Sequence, residues 1–258
     1  MKISHLGAKD CVTGSCHLIE SRPGSANSVN ILVDCGSAQG DDSELPFGQF
    51  PIQPDKIDYL FLTHAHIDYI GRVPDLIDTG FRGGIICTHA TRALLLPMLR
   101  DAMTFLTRTD EVVRRLETLI DELSWGFELY ETFTLKQGTT FKLSNAGHVL
   151  GPCFLLFVFP DQQGNDYRVI FSGDLGCTDT PILPAYSAHA DQRMLVNWVR
   201  SMPKLPKEIR LVHGEAEVRR SLAKALGLQG SKRAIGLSHI LFQFFDGKSG
   251  ADITMVLE

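Results

Sequence analysis

The residues best suited to chemistry lie in the run Thr63-His64-Ala65-His66-Ile67-Asp68-Tyr69. The apolar stretch before it, Asp58 to Leu62, reads as a strand, so imidazoles and a carboxylate follow directly from a strand end. On an extended chain residues i and i+2 point the same way. His64 and His66 can therefore bind one cation together, while Asp68 on the following turn reaches a second. Neutral imidazole suits zinc, and a carboxylate bridges or completes its shell.

Further segments repeat the pattern. Asn145-Ala146-Gly147-His148 sits in a glycine-containing bend between strands. Ser172-Gly173-Asp174-Leu175-Gly176 puts an acid just after a strand, and Leu211-Val212-His213-Gly214-Glu215 puts a histidine at another strand end. Polar donors that repeatedly follow apolar strands gather at one sheet edge, which is where a metal site can form.

The elements that must position these residues are legible from periodicity. Ile31 to Val33 reads as a buried strand ending at Asp34, and Ile85 to Cys87 as another. Residues 41–57, with Pro46, Pro51 and Pro54, read as a loop. The middle is helical. Leu94 to Leu106 is one helix with Pro97 as a kink. Thr109 caps the next, whose apolar stripe is Val112, Val113, Leu116, Leu119, Ile120 and Leu123. Phe154–Phe159 and Tyr167–Phe171 flank a turn at Gly164-Asn165 and read as a hairpin. Asp191 caps a helix through Met202, Ile209 to Val212 is a strand, and Glu215 to Leu226 is a helix. Strands and helices in both halves predict an α/β protein in which two sheets form a sandwich with helices outside.

Composition bounds the rest. The 258 residues allow one large domain or two small ones. Formal charge is 25 − 30 = −5, which argues against a strongly basic nucleic-acid binder. The longest apolar run, Phe154 to Phe159, falls far short of the roughly 20 residues a membrane span needs. Met1 to His5 has no signal-peptide core, and the 6 cysteines contain no C-x-x-C pair. Reduced thiols and a cytoplasmic location are the expectation.

Taken together, the motifs resemble the metallo-β-lactamase superfamily, and within it the β-CASP ribonucleases that include the cleavage and polyadenylation endonuclease. The segments that carry the resemblance are Gly14-Ser15-Cys16-His17-Leu18, Leu32-Val33-Asp34-Cys35-Gly36, the His64 to Tyr69 motif, Gly147-His148, Ser172-Gly173-Asp174, Tyr186-Ser187-Ala188-His189-Ala190-Asp191 and Val212-His213-Gly214-Glu215. The resemblance implies an αββα sandwich, two mixed β-sheets flanked by helices, over residues 1–226, with 227–258 as an extension of unassigned role. It implies a first zinc on His64, His66, His148 and bridging Asp174, and a second on Asp68, Asp174 and His213. His189 matches the family's general acid and, with Asp68, is the expected catalytic pair. Asp34 matches an acid that supports the metal loop.

Departures from the family pattern bear on activity. The pattern is His-x-His-x-Asp-His, and here the last position is Tyr69. A phenol, with a pKa near 10, is a poor neutral ligand, so the second zinc should bind more weakly or not at all. The β-CASP insert is missing as well: only Leu175 to Ala185 joins the Ser-Gly-Asp strand to the Ser-Ala-His motif.

The leading expectation is a zinc-dependent phosphodiester hydrolase acting on single-stranded RNA. The alternatives are a catalytically inactive metal-binding scaffold or partner subunit, and a hydrolase of small esters or thioesters. A second copy or a partner protein would cover the place of the missing insert. Other motifs carry less. Gly247-Lys248-Ser249 ends like a phosphate loop, but Phe242 stands where its first glycine is needed. No Gly-x-Ser-x-Gly elbow is present. Cys16, Cys87, Cys153 and Cys177 read as buried apolar residues, and His17 and His89 as structural. His5 and His239 have no evident partner in sequence. Arg114 with Arg115, and Arg219 with Arg220 and Lys224, read as solvated helix faces.

Overall fold

The computed structural model describes residues 1–42, 45–105, 109–148, 150–161, 166–176, 189–203, 206–228, 240–241 and 252–257. The Gly164-Asn165 turn, Cys177, most of the 175–185 link, Tyr186 to Ala188, His239 and the 242–250 motifs lie outside these residues. The described chain divides into two compact units, Met1–Leu129 and Tyr130–Glu258.

The first unit is built on a six-stranded mixed sheet in the order β1 (Lys2–Gly7), β2 (Cys16–Glu20), β3 (Asn30–Val33), β4 (Tyr59–Phe61), β5 (Gly84–Thr88), β6 (Ser124–Phe127). β1, β2 and β3 pair antiparallel, while β3 through β6 run parallel. The parallel strands read as continuous apolar runs because both faces of such a sheet are covered. After β4 come two short helices, α1 (Ile67–Ile70) and α2 (Val73–Asp78), and after β5 the longer α3 (His89–Phe105) and α4 (Asp110–Leu123). Thr109 caps α4 as the sequence indicates, its side chain accepting from the Val112 N–H. Leu116 and Ile120 of the α4 stripe are fully buried against Leu95, Leu99, Leu60 and Ile85. α3 begins at His89 rather than Leu94; the Thr91 N–H donates to the Thr88 hydroxyl at its start, a polar cap with no apolar period to betray it.

The second unit holds a seven-stranded mixed sheet in the order β12 (Ile240–Leu241), β11 (Glu208–Leu211), β13 (Asp252–Leu257), β10 (Tyr167–Phe171), β9 (Cys153–Phe159), β8 (Thr140–Asn145), β7 (Thr132–Thr134). β9 and β10 pair antiparallel, as the hairpin reading requires. β13 lies parallel between β10 and β11, so the described end of the 227–258 segment completes this sheet. The helices α5 (Gln192–Arg200) and α6 (Ala216–Ala225) bury Val199 and Ala223 against Ile209, Leu211 and Met255. Asp191 caps α5 by accepting from the Met194 N–H at 2.8 Å. Arg219 departs from the solvated-face reading: it is buried, 5% exposed. Arg115 is tied to Asp78. Two mixed sheets flanked by helices thus bear out the α/β expectation. Among the described residues no helix is long and apolar enough to cross a membrane.

Cys16, Cys35, Cys87 and Cys153 are buried, as expected for Cys16, Cys87 and Cys153. Burial pushes the Cys35 thiol up, and its hydrogen bond with Cys16 pushes it further. Burial likewise raises Cys87 from the ordinary 9.0 to about 12, with Arg92 opposing. The unfolded thiol therefore ionises near pH 9 while the folded one keeps its proton to about 12, so the protonated thiol's contribution is intact below pH 9 and is lost on the way to 12. Thermal unfolding of wild type and Cys87→Ala across that range checks this: the gap between them is constant below pH 9 and narrows above it.

Candidate metal centre

Strand direction explains why the polar residues meet. β3 and β4 are parallel neighbours, so Asp34 and Thr63-His64 leave the first sheet at the same edge. There the fully buried Asp34 accepts from the Thr63 N–H at 2.8 Å. It also takes the Thr63 hydroxyl, at 3.0 and 3.2 Å. That hydroxyl's only hydrogen is then engaged, so toward His64 Nδ1, 3.1 Å away, the Thr63 oxygen can only accept. His64 is thereby fixed with its proton on Nδ1 and its lone pair on Nε2. Nε2 faces His66 Nδ1 at 3.0 Å. The pair lies in an extended segment beyond β4, which preserves the i, i+2 convergence expected of a strand.

The loop is held tightly from below. Segment 34–37 laces to the start of α1 through Cys35 N–H to Tyr69 O and Ser37 N–H to Ile67 O, and the Ser15 N–H donates to Asp68 O. Gly36 is required by this approach, since a Cβ there would stand 1.6 Å from Asp68 O. Asp68 is half-buried on α1 and, among the described residues, joins no group of three or more metal-donor side chains. Tyr69 is fully buried, its ring centroid 4.1 Å from that of His64.

The second unit gathers its own donors by the same rule. β8 and β10 both run antiparallel to β9, and β11 runs parallel to the β13–β10 pair. His148, Asp174 and His213 therefore all emerge at one edge. Asp174 Oδ2 lies 3.5 Å from His148 Nε2 and 3.7 Å from His189 Nδ1. The His148 and His189 rings are 4.3 Å apart. The Gly176–His189 bridge and the Ala190 N–H to Leu175 O bond hold His189 there. A Cβ on Gly176 would stand 2.0 Å from Gly147 O, so that glycine admits the His148 loop. His213 follows β11 in a left-handed conformation (φ 57°) and, among the described residues, joins no group of three or more donors.

Sequence reasoning missed the part played by Thr63, which only the register of β3 against β4 reveals. It also left His5 unpaired; cross-strand register places it opposite His17, Nδ1 to Nδ1 at 2.9 Å. His17 Nε2 in turn meets the Ser15 hydroxyl at 3.3 Å, which supports the structural reading of His17. His89 pairs with Glu128 at the surface.

His64 and His66 in one unit, and His148 and Asp174 in the other, each offer a ligand atom. Imidazole nitrogens with a carboxylate oxygen fit a divalent transition metal. The strand-end donors and mixed sheets define an α/β protein with side chains that could hold a metal ion. Residues 10–214 match the family model described as the metallo-β-lactamase superfamily, and the chain belongs to that superfamily.

Similar proteins include Ribonuclease TTHA0252 of Thermus thermophilus, 33% identical over 185 residues that cover 71% of this chain and 40% of that protein. Cleavage and polyadenylation specificity factor 73 of Drosophila melanogaster is 30% identical over 183 residues, 67% of this chain and 25% of that protein. Transcription termination factor FttA of Methanosarcina mazei is 30% identical over 182 residues, 67% of this chain and 27% of that protein. The chain thus spans at most 40% of the length of these relatives. The fold is similar to that of MEM-A1, a subclass B3 metallo-β-lactamase from a soil metagenome library. The TM-score is 0.50 at 15% identity, over 87% of this chain and 83% of that one.

Proposed function

We propose that the chain is a zinc-dependent phosphodiester hydrolase of ribonuclease type. His64, His66, His148 and Asp174 hold the first ion. Asp68, Asp174 and His213 hold a second more weakly, because Tyr69 stands where the family pattern supplies another imidazole. The observation that carries the reading is the grouping of His148 and His189 around the buried Asp174. A metal ligand and a proton donor then share one carboxylate. The ribonuclease and the cleavage and polyadenylation factor among its relatives support RNA as the substrate class.

When bound, zinc supplies Lewis-acid chemistry, polarising the phosphodiester and acidifying water. The chain's own residues do the rest. Asp34 and Thr63 hold the His64 lone pair in place. His189, with its side chain 57% exposed, meets the substrate's leaving oxygen and protonates it, while Asp174 lies on its Nδ1 side.

The test is cleavage of single-stranded RNA and of an activated phosphodiester, with zinc and with a chelator. Zinc-dependent cleavage is expected; its absence on both substrates would overturn the reading. His189→Ala should lower kcat by on the order of 10²–10⁴ with zinc content unchanged. Complete burial of Tyr69 favours one competing reading, an inactive metal-binding scaffold. Cleavage that appears only in Tyr69→His would establish that reading instead.

A further inference from the structure

We propose that Tyr69 is a positioning residue for His64: its ring is the wall that sets the tilt of the imidazole, a role that rests on the metal reading above. Loss of a donor at this position is only half of what the tyrosine does. Tyr69 is among the largest fully buried side chains and belongs to the core cluster that includes Leu18, Leu32, Leu60, Leu62 and Ile70. Its backbone is pinned on both sides: its N–H donates to His66 O at 2.9 Å, and its carbonyl accepts from the Cys35 N–H at 2.8 Å. The pinned backbone and the complete burial of the side chain together keep the ring in place.

Against this fixed ring lies the equally buried His64, centroid to centroid 4.1 Å, with planes inclined at 49°. The two restraints on His64 are complementary. The Thr63 hydroxyl, at 3.1 Å, fixes the imidazole at one edge, through Nδ1. The Tyr69 ring, 4.1 Å away and inclined at 49°, restrains it by packing. An imidazole held by a hydrogen bond and by a packed ring keeps Nε2 aimed without help from an ion, so a metal finds the donor already oriented. Outer-shell support of this kind typically changes metal affinity by about 10–100-fold. The face does this, not the hydroxyl, so phenylalanine should serve as well.

The experiment compares wild type, Tyr69→Phe and Tyr69→Leu, with matching circular dichroism required of all. Zinc affinity is read by competition with a chromophoric chelator, and ligand geometry from the visible spectrum of the cobalt(II)-loaded proteins. Tyr69→Phe is expected to match wild type within about twofold. Tyr69→Leu, which fills the core but offers no ring face, should bind zinc about 10–100-fold more weakly with an altered cobalt spectrum. Equal binding and spectra in Tyr69→Leu and wild type would overturn the proposal, as would a Tyr69→Phe variant that loses as much as Tyr69→Leu. Wild type that binds no zinc would overturn the metal reading itself, a different result from either. A readout on metal-free wild type does not depend on the leucine variant folding: the His64 ring protons should carry a ring-current shift that persists in Tyr69→Phe. Its absence would overturn the proposal.

Discussion

Asp174→Ala is expected to lower zinc-dependent phosphodiester cleavage by on the order of a thousandfold or more, and to release zinc from the chain. Asp174 is the carboxylate of the second unit's donor group, with His148 on one side and His189 on the other. At 6% exposed it is shielded from water, so no solvent dipole replaces its charge when it is removed. The variant loses a negative ligand that offsets the charge of a cation, and it loses the group beside the proton donor. Ligand and proton-donor effects separate on comparison: Asp174→Ala should lose both metal and turnover, whereas His189→Ala should lose turnover alone. Elemental analysis and kcat measured on the same preparations check this. An Asp174→Ala protein that keeps its zinc and its rate would remove Asp174 from the ligand set.

Asp34→Asn is expected to weaken zinc binding by about 10–100-fold although Asp34 is no ligand in this account. The reason is hydrogen-bond direction. The native carboxylate accepts both the Thr63 N–H and the Thr63 hydroxyl, which forces that hydroxyl to accept from His64 Nδ1. An asparagine can still accept the N–H through its carbonyl, but it turns an NH₂ toward the hydroxyl. The hydroxyl then accepts from the amide and donates its own proton to Nδ1. His64 flips to the tautomer protonated on Nε2, the atom that faces His66 at 3.0 Å and should ligate. Asparagine also tolerates the left-handed backbone at this position (φ 56°), so the fold is retained. Nitrogen chemical shifts of the His64 ring report the tautomer, and zinc competition reports the affinity. An unchanged tautomer with unchanged affinity would mean that Thr63 does not relay Asp34 to His64.

What the sequence disclosed depended on how local the cause was. α4 was readable because its cap and its stripe lie within one stretch, and the β9–β10 pairing because a short connection joins two apolar runs. The helix α5 was readable in a similar way, from the Asp191 cap at its own start. The position of β13 between β10 and β11 was not, because parallel pairing of residues 252–257 with 167–171 and 208–211 is set by distant partners. The short α1 and α2 carry too few turns to display a period. For the site, the types of residue at each strand end pointed to metal chemistry. The relay from Asp34 through Thr63 to His64 depends on register between β3 and β4, which no single segment records. Arg219 was misread because a charge repeated along a helix marks a face without saying whether that face is covered.

Zinc retained by the purified wild-type chain after loading and exhaustive dialysis, measured by elemental mass spectrometry alongside RNA cleavage, bears most directly on the proposed hydrolase. At least one zinc per chain is predicted, with chelation removing metal and cleavage together and zinc restoring both. A folded chain that retains no zinc and cleaves RNA neither with nor without it would contradict the hydrolase and leave the strand-end histidines and aspartates as a vestigial ligand set.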